Sequence, residues 1–300
     1  MTVEKENYRP LTKADFYMAD AIRKILNEGF WDEDPRPKYK DGTPAHTISI
    51  NHVVRTYDLD AGEFPICTIR PQAWKTGIRE LFAIYQKPTN VISELEAMGV
   101  TWWKDWDIGD GTIGRRYGYT IKRLDKVRET IDDIINNPYG RRKVISLWQE
   151  EDLKATPGLA PCAFETIWNV RNKNGEKYLD MLLVQRSGDL LVASGPGGIN
   201  ELAYAVFLLC LSAHCGCKPG VFTHLVCNEQ MYSRHLGENK AGEMLSRVGN
   251  VTIADYKPTE NMPRIVLNPN KTDFFSLEIG DFTLENYDPC YPQIPLELGI

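Results

Sequence analysis

Apolar residues recur at helical spacing in several parts of the chain. Residues 14–28 place their apolar side chains on one face and are followed by Gly29, which predicts a helix that ends there. Residues 199–214 are apolar on nearly all sides, which predicts a helix in the centre of the core. Further helices are predicted at residues 71–85, 91–98, 123–136 and 235–247.

Segments typical of strands dominate the second half of the chain. Residues 163–171 and 177–185 flank Asn172-Lys173-Asn174-Gly175, which predicts a tight hairpin turn. Strands and helices do not alternate strictly, so we expect an α+β fold with a mixed sheet and surrounding helices, in one domain over residues 1–300. Residues 102–118 predict a long functional loop. The other predicted strands are residues 47–54, 64–69, 143–148 and 221–227.

Charge and composition exclude several classes of protein. The 300 residues carry 35 Lys and Arg against 41 Asp and Glu, a formal net charge of −6 that argues against a general nucleic-acid binder. The longest apolar run, residues 202–213, is too short to span a bilayer, and the polar N-terminus does not resemble a signal peptide. Seven scattered cysteines argue against a disulfide framework. We therefore expect a reduced, cytoplasmic protein with no membrane or nucleic-acid partner.

Cys162 is the first candidate for chemistry. It follows a turn-rich loop and opens a predicted strand, and a catalytic cysteine needs nearby cations to form its thiolate. Arg186, Arg141 and Arg142 are the available cations, and the adjacent pair also suits phosphate. A single cysteine is more often a small core residue, and an arginine pair is more often solvated, so neither pattern decides by itself.

Glu80 and the segment around Arg186 are the next candidates. Glu80 lies among apolar residues of the predicted helix 71–85, where a carboxylate is costly unless it is paired or used. An ion pair with Arg79 or Lys75 explains it equally well. Gln185-Arg186-Ser187-Gly188-Asp189 ends a strand and offers a guanidinium, a hydroxyl and a carboxylate to a polar ligand; alone, it could equally be a turn with a surface ion pair.

Two further patterns are weaker. Cysteines and histidines crowd residues 210–227, yet they do not form two clean ligand pairs for zinc, so we expect core packing and no metal. Residues 195–198, Gly-Pro-Gly-Gly, precede a helix, but they lack the Lys and Ser or Thr of a phosphate-binding P-loop. This pattern favours a plain loop.

Taken in order, the motifs resemble one family, the folate-dependent thymidylate synthases that use a cysteine nucleophile. The most specific part is Gln185-Arg186-Ser187 with the downstream Asn200, and the resemblance covers nearly the whole chain. Other similar segments are Arg79-Glu80-Leu81, Trp103-Lys104-Asp105-Trp106, Asp110-Gly111-Thr112-Ile113-Gly114, Tyr117-Gly118, Arg141-Arg142, Pro161-Cys162, Tyr204, Tyr232 with His235, and Tyr287-Asp288-Pro289.

This resemblance implies a fold, an assembly and a reaction. The implied fold is a single domain with a mixed sheet, and the implied assembly is a homodimer that packs sheet against sheet. In that dimer Arg141 and Arg142 reach the nucleotide phosphate in the partner's site. The implied reaction transfers the one-carbon unit of 5,10-methylenetetrahydrofolate to C5 of dUMP, with hydride reduction to dTMP and dihydrofolate.

The same resemblance implies roles for individual residues. Cys162 adds to C6 of uracil, while Glu80 and Tyr117 serve proton transfers at O4 and C5. Asn200 accepts from uracil N3–H and donates to O4, which selects uracil over cytosine. The remaining implied contacts are Arg186 and Ser187 with the phosphate, Tyr232 with the sugar, Asp189 and Trp103 with the folate, and Ile300 in the tail that closes over the site.

Several positions depart from the family's pattern. Ala163 and Gln230 replace histidines, although the amide of Gln230 can still bond a sugar hydroxyl. Lys40 stands in for the arginine of the family's N-terminal phosphate loop. Residues 195–198 are a Gly-rich insertion. Gly299 is expected to loosen the tail that closes over the site. Pyrimidine-nucleotide hydroxymethylases resemble this family in fold but let water replace hydride. Hydroxymethylation of dUMP or another pyrimidine nucleotide is therefore the alternative activity.

Overall fold

The fold is built on one mixed sheet. The structure is a computed structural model that describes residues 11–289 and 291–299. Its strands are β1 (Phe30–Trp31), β2 (Thr47–Asp58), β3 (Lys143–Ser146), β4 (Ala163–Lys173), β5 (Glu176–Gln185), β6 (Gly188–Asp189), β7 (Lys218–Tyr232), β8 (Arg264–Leu267) and β9 (Phe282–Glu285). In this part of the chain, seven strands form a sheet in the order β1-β2-β7-β5-β4-β3, with β6 paired to β7. The β5–β7 and β6–β7 pairs are parallel, and the other pairs of this sheet are antiparallel.

Helices surround this sheet and supply much of the core. The helices are α1 (Lys13–Glu28), α2 (Trp74–Leu81), α3 (Ile92–Ala97), α4 (Gly118–Leu124), α5 (Lys126–Asn136), α6 (Glu150–Ala155), α7 (Ile199–His214), α8 (Ser233–Gly237) and α9 (Lys240–Val248). α7 packs against α2, β5 and β7. Its buried residues come from all sides of the helix, so the predicted central helix is confirmed. No helix of the described residues is long and apolar enough to cross a membrane.

Local signals explain why two predicted elements are confirmed. α1 begins with a capping box in which Thr12 and Asp15 exchange side-chain and backbone hydrogen bonds, and it stops at Gly29. The turn between β4 and β5 places Asn174 at φ 57° and Gly175 at φ 87°. These left-handed conformations are the ones that a tight hairpin with the strands' own twist requires.

The predicted strand at residues 64–69 is wrong. Its backbone groups bond to other segments instead of a neighbouring strand: Cys67 N–H donates to Gly197 O at 3.1 Å, and Thr68 N–H donates to Asp15 Oδ1 at 2.9 Å. The Ile66 carbonyl accepts from the Thr12 hydroxyl at 2.7 Å. The segment is apolar because it lies under the first turn of α1.

Three other predicted elements are divided. Asp125 adopts φ 48° and separates α4 from α5, where one helix over residues 123–136 is predicted. The helix predicted at residues 71–85 begins at Trp74 and changes at Phe82 into a π-helical turn, Phe82–Gln86. The predicted helix 235–247 is the pair α8 and α9. Local changes of this kind follow from tertiary packing, which apolar periodicity does not report.

Candidate active site

Strand register brings Cys162 and Arg186 together. Cys162 immediately precedes β4, Arg186 immediately follows β5, and Ala163 pairs with Gln185 in the antiparallel ladder. The Arg186 N–H donates to Cys162 O at 2.9 Å, and the guanidinium Nη2 lies 3.4 Å from Cys162 Sγ. The half-buried thiol thus faces a cation.

The guanidinium of Arg186 is held in place by the loop that carries Cys162. Its Nε donates to Pro161 O at 2.9 Å, and its Nη2 donates to Ala160 O at 2.8 Å. Burial raises the pKa of the Cys162 thiol, whereas Arg186 opposes that rise by favouring the thiolate.

Glu80 lies on α2 two residues before the π-helical segment, beside two tryptophans. The indole Nε1 atoms of Trp102 and Trp103 donate to the same oxygen, Glu80 Oε1, at 3.1 and 2.9 Å. Burial nevertheless raises the pKa of Glu80 to about 7. A carboxyl group with this pKa can both give and take a proton near neutral pH.

Tyr117 links the loop that carries Cys162 to the tryptophans. Its hydroxyl accepts from the Cys162 N–H at 3.4 Å, and its ring lies edge to face with Trp103 at 4.7 Å between centroids. Burial raises the pKa of Tyr117 well above its ordinary value, so the hydroxyl stays protonated. The residue has φ 50°, a strained conformation for a side chain of this size. The next residue is Gly118, where a Cβ would lie 2.3 Å from Thr89 O.

The other residues predicted for the site lie on or beside β6, at the end of β7 and in the first turn of α7. The charge of Asp189 acts on both Cys162 and Tyr232, which places the three near one another, and burial raises the pKa of Asp189 itself to about 6. Gln230 pairs with Asp189 in the β6–β7 ladder. Ser187 is half-buried, two residues before Asp189. Asn200 lies in the first turn of α7, and its Nδ2 donates to Ser194 Oγ at 3.2 Å.

Three predicted residues are exposed, and a fourth is not described. Arg141 and Arg142 are exposed between α5 and β3, without an ion pair among the described residues. Lys40 is exposed at the tip of a loop in which Lys38 bridges to Pro44. Ile300 lies outside the described residues.

The structure adds residues that the sequence reasoning missed. Arg36 is close enough to lower the pKa of Cys162, which makes it a second cation near that thiol. Trp102 shares the Glu80 oxygen with Trp103, and the Trp-Trp pair in the sequence could have signalled it. Tyr85 was also missed: its hydroxyl lies 2.8 Å from that of Tyr204, a contact for which the sequence has no signal.

The structure also describes the two weaker sequence patterns, the Gly-rich residues 195–198 and the Cys- and His-rich residues 210–227. Residues 195–198 form a buried loop at the start of α7, in contact with the backbone of residues 66–67 and 190. In the described part of the chain, no group of three or more His, Cys, Asp or Glu side chains could hold a metal ion.

Comparison with known proteins assigns the arrangement to a family. A family model described as thymidylate synthase matches residues 16–300. The chain belongs to the thymidylate synthase family. It is similar to the thymidylate synthases of Streptococcus agalactiae serotype Ia, at 42% identity, and Streptococcus pneumoniae strain 70585, at 41%. Each match spans 293 residues and covers 97% of this chain and 100% of the relative.

A solved structure supports the same family. The chain is similar to the thermostable thymidylate synthase A from Bacillus subtilis, with a TM-score of 0.80 and 30% identity over 95% of this chain and 99% of the other. The expected single-domain α+β fold is therefore confirmed. The chain is an enzyme, a methyltransferase of the thymidylate synthase type that serves dTMP formation.

Proposed function

We propose that the chain methylates C5 of dUMP with 5,10-methylenetetrahydrofolate, through a covalent adduct on Cys162. The observation that carries this proposal is the contact between Arg186 Nη2 and Cys162 Sγ, at 3.4 Å. It supplies a nucleophile with the cation that its thiolate needs. The folate supplies the one-carbon unit and then the hydride, which leaves dihydrofolate and dTMP.

Cys162 begins the reaction at C6. Addition of its thiolate places electron density on C5, which makes that carbon the nucleophile toward the one-carbon unit. Glu80, with a pKa of about 7, is suited to proton transfer at O4. Tyr117, whose hydroxyl bonds to the backbone of Cys162, is suited to help removal of the C5 proton through water.

The remaining site residues bind and orient the substrates in this proposal. Arg186 and Ser187 hold the nucleotide phosphate, with Arg36 or Lys40 from the N-terminal loop; Arg36 is favoured because its charge acts at Cys162. Asn200 reads uracil, Tyr232 and Gln230 contact the sugar, and Asp189, Trp103 and Ile300 belong to the folate side.

The C-terminal tail favours hydride over water in the final step. Gly299 was expected to loosen this tail, yet a Cβ at this position would lie 2.5 Å from Ala45 Cβ, so glycine permits close docking. Gly299 O also accepts from Tyr232 Oη at 3.4 Å. A docked tail excludes water from a reactive intermediate.

One assay tests the reaction. Purified protein is mixed with dUMP and methylenetetrahydrofolate, dihydrofolate absorbance is followed, and the nucleotide product is weighed by mass spectrometry. Dihydrofolate with a methylated product supports the proposal, whereas a hydroxymethyl product without dihydrofolate establishes the alternative. Cys162→Ser should abolish turnover. Near-wild-type activity in that variant refutes the assignment of Cys162 as the nucleophile.

We also propose a cytoplasmic homodimer of one domain per chain, residues 1–300, in which Arg141 and Arg142 complete the partner's phosphate site. Their exposure, without an ion pair among residues 11–289 and 291–299, supports this, as does the apolar side chain of Val54 on β2, which is 55% exposed. Mixing Arg142→Ala with Cys162→Ser tests it, because a hybrid dimer regains one complete site. No recovery of activity after subunit exchange would contradict the shared site.

A further inference from the structure

Lys143 is a buried lysine whose ammonium group lies behind a surface turn. It is the first residue of β3, and its side chain is fully buried. Its Nζ donates to Asn137 O at 2.8 Å and to Gly140 O at 2.6 Å, and it forms an ion pair with Asp133 Oδ2 at 3.4 Å. An ammonium group has three N–H donors, and these three partners match them in number. Such a charge is fixed in place, because movement would leave it unpaired in the interior.

These contacts close the turn formed by residues 137–140. Asn137 is the C-cap of α5, and its carbonyl also accepts from the Gly140 N–H at 3.0 Å. Its side-chain Nδ2 donates to Asp133 Oδ1 at 3.2 Å. Lys143 therefore holds the first and the last carbonyl of the turn from inside, while the last turn of α5 holds Asn137 from the other side.

Arg141 and Arg142 lie inside the short loop that Lys143 closes. They are the two residues between Gly140, whose carbonyl binds Lys143 Nζ, and Lys143 itself, whose backbone is paired with Trp168 of β4. The backbones of the two arginines form no hydrogen bond with residues 11–289 or 291–299. Their position is therefore set by the contacts that hold Gly140 and Lys143.

A held backbone makes it easier for two long, exposed side chains to bind an anion. The side chains of Arg141 and Arg142 have no ion pair in the described part of the chain, so the backbone that carries them sets their direction. If that backbone were mobile, the anion would have to order it, and the entropy lost would weaken binding. The Lys143 ammonium is enclosed and paired with Asp133, so it does not itself offer a charge to a ligand at the surface.

We propose that Lys143 is a positioning residue for the nucleotide phosphate: it fixes the segment that presents Arg141 and Arg142 to the partner's site. The inference rests on the proposed function, in which these two arginines complete that site. It makes phosphate binding in one subunit depend on a lysine that is buried in the other subunit and touches neither substrate.

Lys143→Met tests this role, because methionine keeps an apolar stem and removes the ammonium group. In the variant homodimer the KM for dUMP should rise about tenfold while kcat stays nearly unchanged. Lys126→Met is the matched control. Lys126 lies in the first turn of α5 and pairs with Glu129, so the control removes the same charge without touching the turn at the other end of the helix. We expect a change of less than about twofold in its KM.

Subunit exchange separates positioning from a general structural defect. When Lys143→Met is mixed with an excess of Cys162→Ser, the working cysteine of each hybrid dimer lies in the chain that carries methionine. The arginines of that site come from the other chain, which keeps Lys143. The hybrid should therefore turn over dUMP with the KM of the wild type. A defect confined to the chain with Lys143→Met would instead leave the KM high.

An unchanged KM in folded, dimeric Lys143→Met, or a raised KM that persists in the hybrid, overturns the inference. If the methionine variant does not fold, Gly140→Ala replaces it and the same two outcomes decide. A Cβ at this position would lie 2.2 Å from Asn137 Nδ2, so alanine disturbs the same turn. The double variant Arg141→Ala and Arg142→Ala tests the proposed function separately, because a wild-type KM there refutes the shared phosphate site itself.

Discussion

Replacing Glu80 by Gln should stabilise the protein at alkaline pH while it removes activity. Burial raises the pKa of Glu80 to about 7, against an ordinary value of 4.5. Between these values the folded state binds more protons than the unfolded state, so the free energy of unfolding of the wild type falls as pH rises through this window. The difference of about 2.5 between the two pKa values corresponds to about 3 kcal/mol at pH 8.

Glutamine keeps the atom that both indoles use, because Trp102 and Trp103 donate to the same oxygen of Glu80. Urea unfolding should find Glu80→Gln about 3 kcal/mol more stable than wild type near pH 8, and less than about 1 kcal/mol more stable near pH 5. Glu96→Gln on α3, which alters an exposed carboxylate, should show no such difference. If the free energies of unfolding of wild type and Glu80→Gln differ by the same amount at both pH values, the raised pKa of a buried Glu80 carboxyl is refuted.

Three further outcomes are expected. Trp103→Phe removes one hydrogen-bond donor from the Glu80 carboxylate and should raise the pKa of Glu80 by about one. Carboxyl NMR measures this pKa, and an unshifted titration contradicts the hydrogen bond. Arg186→Gln should slow alkylation of Cys162 by iodoacetamide at pH 8, because the cation that favours the thiolate is gone; equal rates would count against the contact. Arg234→Gln removes a 2.6 Å ion pair with Glu297, so limited proteolysis of the C-terminal tail should become faster. An unchanged cleavage rate argues against a role of this ion pair in holding the tail.

Elements with a strong local signal could be predicted from the sequence. α7 has the predicted bounds because apolar residues cover all its faces, and the β4–β5 hairpin follows from Asn174-Gly175. β7 extends from Lys218 to Tyr232, well beyond the predicted residues 221–227. The prediction stops short because polar residues at its end are buried by tertiary partners, as Glu229 is by Arg55 at 2.6 Å.

The site was predictable where one motif carries it and unpredictable where distant residues meet. Cys162, Arg186 and Glu80 belong to recognisable segments, and their geometry suits the chemistry expected of them. Arg36 carries no such signal, because its importance depends on a contact with Cys162 that only the fold creates. Arg55 and Glu201 are 146 positions apart in the chain, and no spacing rule connects them.

Arg186 donates to the carbonyls of residues 160 and 161, so the proposed phosphate site is linked directly to the loop that carries Cys162 Sγ. An anion that draws the guanidinium toward itself must pull on the peptide units immediately before Cys162, or weaken the bonds that hold them. If Arg186 binds the phosphate as proposed, the reactivity of Cys162 should therefore change when an anion binds there, even one that lacks a base. Alkylation of Cys162 by a small agent, with and without inorganic phosphate, should report that occupancy before any nucleotide is added.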